Sequence, residues 1–489
     1  MQKVEKPDTF CPTWMKTRPY AHQLDVWERS RDLREFALFL EMGTGKSKVL
    51  LDTAAHLALA GRIDGALIIA PKGVYANWVE QEIPRHLSDS VKRDVYLWSA
   101  ATSQRAQRER EAILHTANFA ICVMNVEALS GKRGLTFATK FLTERRALLA
   151  VDESTTVKNP SAARTKATIK LGRLAEYRRI LTGSPVTRAP LDVYSQMQVL
   201  RPGLLGFSSF YTFRNRYAEM ETDFVRSGAG LRQFKTVSGY RRLDELHQKL
   251  ADFSARILKA DCLDLPPKTY LRRTVDLTKE QHTAYKEMLT ESITLLDGIP
   301  ATATAVITQI LRCHQILCGH LPTIDGEVRE LPHNRLDALL ETLEEGGGQA
   351  IVWANYRHDI EAITARLNKV YGPGSARSYY GETPQADRQQ IVEDFQAGRL
   401  KYFVGQQRTG GYGLTLTAAN LVVYFSNSFD LETRLQSEDR AHRIGQTQPV
   451  TYVDLLVPGT IDEKIVRALR SKIDLAGQVT GDGWREWLC

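Results

Sequence analysis

Five charged side chains and one glycine turn carry the chemistry that can be read in this 489-residue sequence. Gly43-Thr44-Gly45-Lys46-Ser47 follows the apolar run Phe36 to Leu40 and precedes a helix-like segment, Val49 to Ala60. A strand, a glycine-rich turn and a helix form the context in which backbone N–H groups converge on a polyphosphate, helped by the helix N-terminus. In that context Gly43, Thr44 and Gly45 line the turn, Lys46 can bridge the outer phosphates, and Ser47 can ligate magnesium. A complete phosphate-loop pattern would have glycine at position 40, where this chain has leucine.

Asp152 and Glu153 end the apolar run that begins at Ala147. This predicts two carboxylates at the C-terminal edge of a parallel strand, where open α/β sheets bind ligands. Consecutive strand residues point to opposite sides, so the pair can divide its work. Asp152 suits magnesium held through water, and Glu153 suits accepting a proton from the water that attacks a γ-phosphate. Far along the chain, Arg440 and Arg443 stand three residues apart, which predicts one shared helical face. Two guanidiniums so placed can neutralise charge on a transferring phosphoryl group. The plainer alternative is a solvated helix with ion pairs to Glu438 and Asp439.

The elements that must position these groups repeat. Short apolar runs (Phe36 to Leu40, Ala66 to Ala70, Val95 to Trp98, Phe119 to Met124, Ala147 to Val151 and Arg179 to Leu181) alternate with helix-like stretches. Continuous apolar strands between helices predict a parallel sheet covered on both faces. The pattern returns at Ala350 to Trp353, Arg377 to Tyr380, Tyr402 to Val404, Leu421 to Phe425 and Thr451 to Val457. The expected fold is therefore α/β with two such domains, 1–262 and 263–489, divided near the Pro266-Pro267 pair that interrupts any continuing helix. Helical protrusions are expected over about 201–262 in the first and about 278–320 in the second.

Charge is uneven. The chain carries +8, and the stretch from Arg201 to Val275 alone has 14 Lys/Arg against 8 Asp/Glu, with ten Phe or Tyr among them. Such a segment predicts a small aromatic core with solvated charges, some of them available to phosphates. No apolar run reaches the length of a membrane span, and the first dozen residues lack a signal-peptide core, so a cytoplasmic or nuclear location is expected. The six cysteines form no CxxC pair. Cys313, His314, Cys318 and His320 are the one loose cluster, expected as buried helix residues in preference to a metal site.

In order along the chain, the phosphate loop, Asp152-Glu153-Ser154 with Lys158-Asn159, Leu181-Thr182-Gly183-Ser184-Pro185 and Arg440-Ala441-His442-Arg443-Ile444-Gly445-Gln446 resemble superfamily 2 ATPases. More narrowly they resemble the Swi/Snf-type (sucrose non-fermenting) double-stranded DNA translocases, from Arg18 to about Gly477, and within them the annealing-helicase-like and compact bacteriophage or bacterial members. The resemblance implies two RecA-like lobes, ATP and magnesium as cofactors, and double-stranded or branched DNA as the partner, with no membrane role. It implies that Gln23 reads adenine, that Gly413 and Gln436 contact the nucleotide, and that Arg440 and Arg443 are arginine fingers. Lys72, Trp78, Asn125, Asn355, Tyr356 and Thr415 become the implied nucleic-acid contacts, and Thr182 to Pro185 the link between hydrolysis and lobe movement.

Little besides the two lobes is evident in the sequence, so target choice is expected from their insertions or from a separate targeting protein. The implied location is the cytoplasm of a bacterium or a virus-infected bacterial cell, or the nucleus in a eukaryote. Two other readings stand beside a duplex translocase: a strand-separating or annealing helicase (or an RNA-dependent ATPase) of the same superfamily, and a non-catalytic clamp that binds ATP merely as a ligand.

Overall fold

The protein is described by a computed structural model over residues 11–227, 230–298, 303–323, 327–410 and 414–480. Along the first half run β1 (Glu35–Leu40), β2 (Gly65–Ala70), β3 (Arg93–Leu97), β4 (Phe119–Asn125), β5 (Ala147–Asp152) and β6 (Tyr177–Leu181). β7 (Ala218–Ser227) and β8 (Gly230–Tyr240) form a two-stranded ribbon of their own, and β9 (Ser254–Ile257) rejoins the first sheet. That sheet is ordered β3-β4-β2-β5-β6-β1-β9, and every neighbouring pair is parallel.

The apolar strands are buried on both faces because alternate residues enter different cores. Ala37 and Phe39 of β1 join Leu67 and Ile69 of β2 on one side, while Phe36, Leu38 and Leu40 join Ala66, Ile68 and Ala70 on the other. This is the arrangement that continuous, non-alternating apolar strands require.

The second half repeats the scheme. β10 (Lys268–Thr274), the short antiparallel pair β11 (His320–Pro322) and β12 (Val328–Glu330), then β13 (Ala350–Ala354), β14 (Ala376–Tyr379), β15 (Tyr402–Gln406), β16 (Leu421–Tyr424) and β17 (Val450–Leu456) follow in order. The larger sheet reads β10-β17-β16-β13-β15-β14, again parallel throughout. Ala350, Val352 and Ala354 of β13 face one core and Ile351 and Trp353 the other.

Among the described residues, one compact unit comprises 11–218, 240–264 and 475–480, and the other 219–239 and 265–474. The edge strands of the two sheets are short or charged. β9 and β14 have four residues each, β3 carries Arg93 and Asp94, and β10 carries Lys268, Arg272 and Arg273. No helix among the described residues is long and apolar enough to cross a membrane.

The stretch 201–262 departs from its expected all-helical form. Helices Phe210–Tyr217 and Leu243–Ala251 are present, but the ribbon β7–β8 lies between them. The signal was Ser227-Gly228-Ala229-Gly230, turn-forming chemistry between two segments containing β-branched and aromatic residues. The aromatic core is as expected: Phe213 and Tyr217 are fully buried, with ring centroids 4.9 Å apart, and Phe207 packs edge-on against both. Over 278–320 the chain forms helices Lys279–Gly298 and Ala303–Cys318.

Cys313, His314, Cys318 and His320 are all buried. His314 meets Asp462 at 3.4 Å and the Tyr356 hydroxyl at 2.9 Å, and His320 meets Asp359 at 2.9 Å. These are polar pairs inside a core, and no group of three or more His, Cys, Asp or Glu side chains among the described residues is arranged to hold a metal.

Candidate active site

β1 delivers the chain into the glycine turn, and the helix Lys46–Leu59 leaves it. Gly43 and Gly45 have φ of +78° and +97°, and Gly45 caps the helix without a side-chain hydrogen bond, so the N–H groups of the first turn have no side-chain cap. Gly45 is required twice over. Its backbone is left-handed, and a Cβ there would lie 2.2 Å from Gln23 Nε2.

Gln23 is buried and braces the loop: Nε2 donates to Thr44 O at 3.1 Å, and Oε1 accepts from Tyr20 N–H at 3.0 Å. His22, which the sequence did not single out, reaches the same Thr44 carbonyl at 2.9 Å. Thr44 itself is buried, its hydroxyl donating to Glu41 O at 2.7 Å, so it closes the turn from within. Lys46 Nζ donates to Leu40 O at 3.1 Å across the mouth of the loop.

Asp152 ends β5, which is separated from β1 only by β6. Its Oδ2 accepts from the Trp78 indole N–H at 3.0 Å and its Oδ1 from Glu153 N–H at 3.0 Å. Burial raises the Asp152 pKa, against the opposing pull of the Lys46 charge and these two donors. The Lys46 charge is thus felt at Asp152, two strands away in the same sheet.

Glu153 corrects the strand-alternation argument. It lies outside β5, with φ +44° and ψ +62°, and it caps the short 3-10 turn Ser154–Val157. A left-handed glutamate costs about 1–2 kcal/mol, so the two carboxylates are separated by a strained kink and not by the pleat. Thr182 Oγ1 donates to Glu153 Oε2 at 3.4 Å, and Ser154 donates to Gln196 at 2.7 Å beneath it.

Two further contacts tie neighbouring segments to the loop. A Cβ on Gly183 would stand 3.1 Å from Met42 N, so the Thr182-Gly183-Ser184 segment touches the phosphate loop directly. At the end of β9, Arg256 donates to Phe39 O at 3.0 Å and to Gly183 O at 2.8 Å, and Lys259 N–H donates to Glu41 Oε2 at 2.8 Å. An Arg-x-x-Lys spacing that begins inside the short strand Ser254–Ile257 was the overlooked signal.

In the second unit the helix Leu431–Glu438 ends before either finger candidate, so Arg440 and Arg443 do not share a helical face as expected. They converge by another route. Arg440 Nη1 and Arg443 Nη1 donate to the same carbonyl, Leu414 O, at 3.1 and 2.9 Å, and Arg440 Nε donates to Gln436 O at 2.9 Å. Gln446 Nε2 fixes the turn through Thr417 O, Ala419 O and Ala441 O, while His442 Nε2 meets Pro266 O at 2.8 Å.

Behind the turn, Arg434 lies over the Tyr424 ring at 3.4 Å and pairs with Glu438 at 2.7 Å and Asp454 at 2.5 Å, all buried. Glu438 is therefore an interior partner of Arg434, not a surface partner of the finger candidates. Gln436 is buried with its amide toward Glu432 at 3.4 Å, and Gly413 lies outside the described residues.

The implied nucleic-acid contacts are placed unevenly. Lys72 is exposed and Asn125 half-buried, its amide donating to Glu127 at 3.1 Å. Trp78 is 2% exposed and committed to Asp152, which places it in the core beside the carboxylate and not on a nucleic-acid surface. Trp353 is likewise wholly buried. Asn355 N–H donates to Ser426 Oγ at 2.8 Å, Tyr356 is half-buried with its hydroxyl on His314, and Thr415 is half-buried just before Leu416, whose N–H donates to Arg440 O at 2.9 Å.

Comparison with known proteins gives two domain matches: the SNF2-related domain over residues 25–320 and the helicase conserved C-terminal domain over 334–445. The chain is similar to chromodomain-helicase-DNA-binding protein 1-like of Danio rerio, 26% identical over 91% of this chain and 42% of that protein. It is similar at 27% to SWI/SNF-related matrix-associated actin-dependent regulator of chromatin subfamily A-like protein 1 of Xenopus tropicalis, over 91% of this chain and 43% of that protein. The chain thus spans less than half the length of these relatives. A solved structure, the Sulfolobus solfataricus SWI2/SNF2 ATPase core in complex with dsDNA, aligns over 98% of this chain and 97% of its own, with a TM-score of 0.43 and 23% identity.

Proposed function

Because this chain belongs to the SNF2-related family, we propose that it is a DNA-dependent ATPase that moves along duplex DNA without obligatory strand separation. The observation that supports this most directly is the first-unit site: a phosphate loop in left-handed glycine geometry, with Lys46 acting electrostatically on Asp152. ATP and magnesium are the cofactors in this reading. Hydroxyl and carboxylate oxygens are the hard donors that magnesium prefers, so Ser47 and Asp152 fit the ion, and Lys46 with the uncapped helix N-terminus fits the phosphates. Glu153 is the base for the attacking water. Arg440 and Arg443 supply positive charge to the transition state, and Gln23 and Gln436 take their places around the nucleotide.

Lys72, Asn125, Asn355, Tyr356 and Thr415 are the track contacts in this proposal, which places the chain where duplex DNA is, in the bacterial cytoplasm or the nucleus. Contacts of this kind go mainly to phosphates, which makes movement largely indifferent to sequence.

An ATPase assay with blunt duplex, forked DNA, single-stranded DNA and RNA tests the proposal. Blunt duplex should stimulate turnover fully, and the logarithm of the apparent DNA affinity should fall linearly with the logarithm of salt as counterions are released. Turnover that ignores saturating blunt duplex yet rises with RNA overturns the assignment. The β7–β8 ribbon favours one second reading, strand separation at a fork, since a self-paired ribbon is a shape that can stand between two strands. Full activity on forks with none on blunt duplex would select it.

A further inference from the structure

One five-residue π-helical turn, Trp78–Glu82, carries side chains that face Asp152 and Ser47. Such a turn interrupts the regular ladder, persists only where its surroundings hold it, and is concentrated at functional sites. At its first residue the Trp78 ring is packed into the core and its N–H donates to Asp152 Oδ2 at 3.0 Å. An indole N–H can only donate, so it orients the carboxylate without competing for a cation. At the last residue, Glu82 accepts from Asn77 Nδ2 at 3.4 Å; burial raises its pKa, and the neighbouring Ser47 hydroxyl opposes that rise. A serine hydroxyl that turns its proton toward Glu82 can present its lone pairs elsewhere, which is the state a cation ligand needs.

We propose that Trp78 and Glu82 are positioning residues for magnesium: the π turn orients the Asp152 carboxylate and the Ser47 hydroxyl together. The proposal rests on the reading of Ser47 and Asp152 as the magnesium-facing pair. It also gives the segment beginning at Pro71-Lys72 a direct mechanical connection to the nucleotide site, because the same run of chain carries the exposed Lys72 and ends in the bracket.

The test is equilibrium binding of a fluorescent ADP, titrated with magnesium chloride in the full chain without DNA, so that no turnover is read. Trp78→Phe keeps the ring and loses the donor, whereas Glu82→Leu keeps bulk and loses the acceptor. Each should raise the magnesium concentration for half-maximal binding by about tenfold, the usual effect of losing a partner of a metal ligand, while Glu82→Gln, which can still accept, stays within about threefold.

Affinity for the nucleotide without magnesium should be unchanged. Midpoints for Trp78→Phe and Glu82→Leu within about twofold of the parent overturn the proposal, and so does an equal loss with and without magnesium, which would mean general damage to the loop. If Trp78→Phe does not fold, as judged by thermal melting, the half-buried Glu82 variants decide the outcome. A parent protein whose nucleotide binding ignores magnesium instead removes the underlying reading of Ser47 and Asp152.

Discussion

The two units hold their charged groups by different means. In the first, geometry is stored in the backbone: Gly43, Gly45 and Glu153 all have positive φ, and the side chains around them are short or committed to main-chain atoms. In the second, Arg440 and Arg443 follow a short helix and are steered by carbonyl acceptors, with a buried Arg434–Glu438–Asp454 network behind them. A strained backbone suits a site that must present N–H groups and a base at fixed positions. Carbonyl acceptors hold the two guanidiniums without neutralising them, so both keep their positive charge.

The largest expected effects would break this contrast outright. Glu153→Gln should keep ATP binding and lower turnover by about 10²–10⁴-fold, because the amide keeps size and polarity but cannot take the proton. Arg443→Ala should retain nucleotide and DNA binding while losing about 10³-fold or more in turnover, the scale for an arginine finger. Steady-state kinetics at saturating ATP and duplex, with separate binding titrations, checks both. Unaltered turnover in Arg443→Ala would reduce the second-unit turn to a structural feature.

Removing the support in place of the charge should show which unit depends on side chains. Arg434→Met leaves Asp454 and Glu438 buried without their cation and should destabilise the protein by about 3–5 kcal/mol in urea denaturation, with nucleotide affinity little changed. Gly45→Ala is the first-unit counterpart. Left-handed strain of about 1–2 kcal/mol, increased by the contact with Gln23, is relieved if the loop leaves its binding geometry, which predicts roughly five- to thirtyfold weaker nucleotide binding and a loss of global stability no larger than the strain.

Much of the scaffold was legible because parallel strands buried on both faces read as unbroken apolar runs, and because the turn before Lys46 needed glycines that the sequence supplies. The fine geometry was not. Nothing in Asp152-Glu153-Ser154 signals a left-handed glutamate, since that conformation is imposed by the packing of Ser154 on Gln196 and by the 3-10 turn that follows. The spacing of Arg440 and Arg443 favoured a helix, but Gln446 closes a tighter turn through carbonyls more than twenty residues upstream, and local periodicity carries no information about such contacts. Trp78 was implied as a nucleic-acid contact, and only tertiary structure reveals that its partner is Asp152.

The smallest expected difference between the units concerns acid. Burial, with the Lys48 and Arg85 charges, lowers the His86 pKa from 6.5 to about 4. It folds neutral while the unfolded chain takes up a proton, so the first unit loses stability as pH falls from about 6.5 toward 4. In the second unit burial alone would raise Asp462, but Arg335 and His314 outweigh it and bring the carboxyl to about 2, so that contribution is lost only as pH falls from 3.8 toward 2. Burial lowers His333 as well, opposed by Asp359. Hydrogen exchange should therefore show amides around both His86 and His333 opening as pH falls below 6.5, and His86→Gln should abolish that phase in the first unit only.

The edges of the two sheets bear on how this protein behaves in concentrated solution. An open parallel sheet ends in unpaired main-chain groups that can template a strand from another molecule. Here β9 and β14 offer only four residues each, and of the longer edges β3 carries Arg93 and Asp94 while β10 carries Lys268 and Arg272 beside Arg273, which pairs with Glu341 and Glu345. A molecule approaching β10 edge-on would bring like charges together, on a chain that is already net positive. Colloidal stability should therefore depend on ionic strength: salt that screens these cations weakens the repulsion that keeps the edges apart.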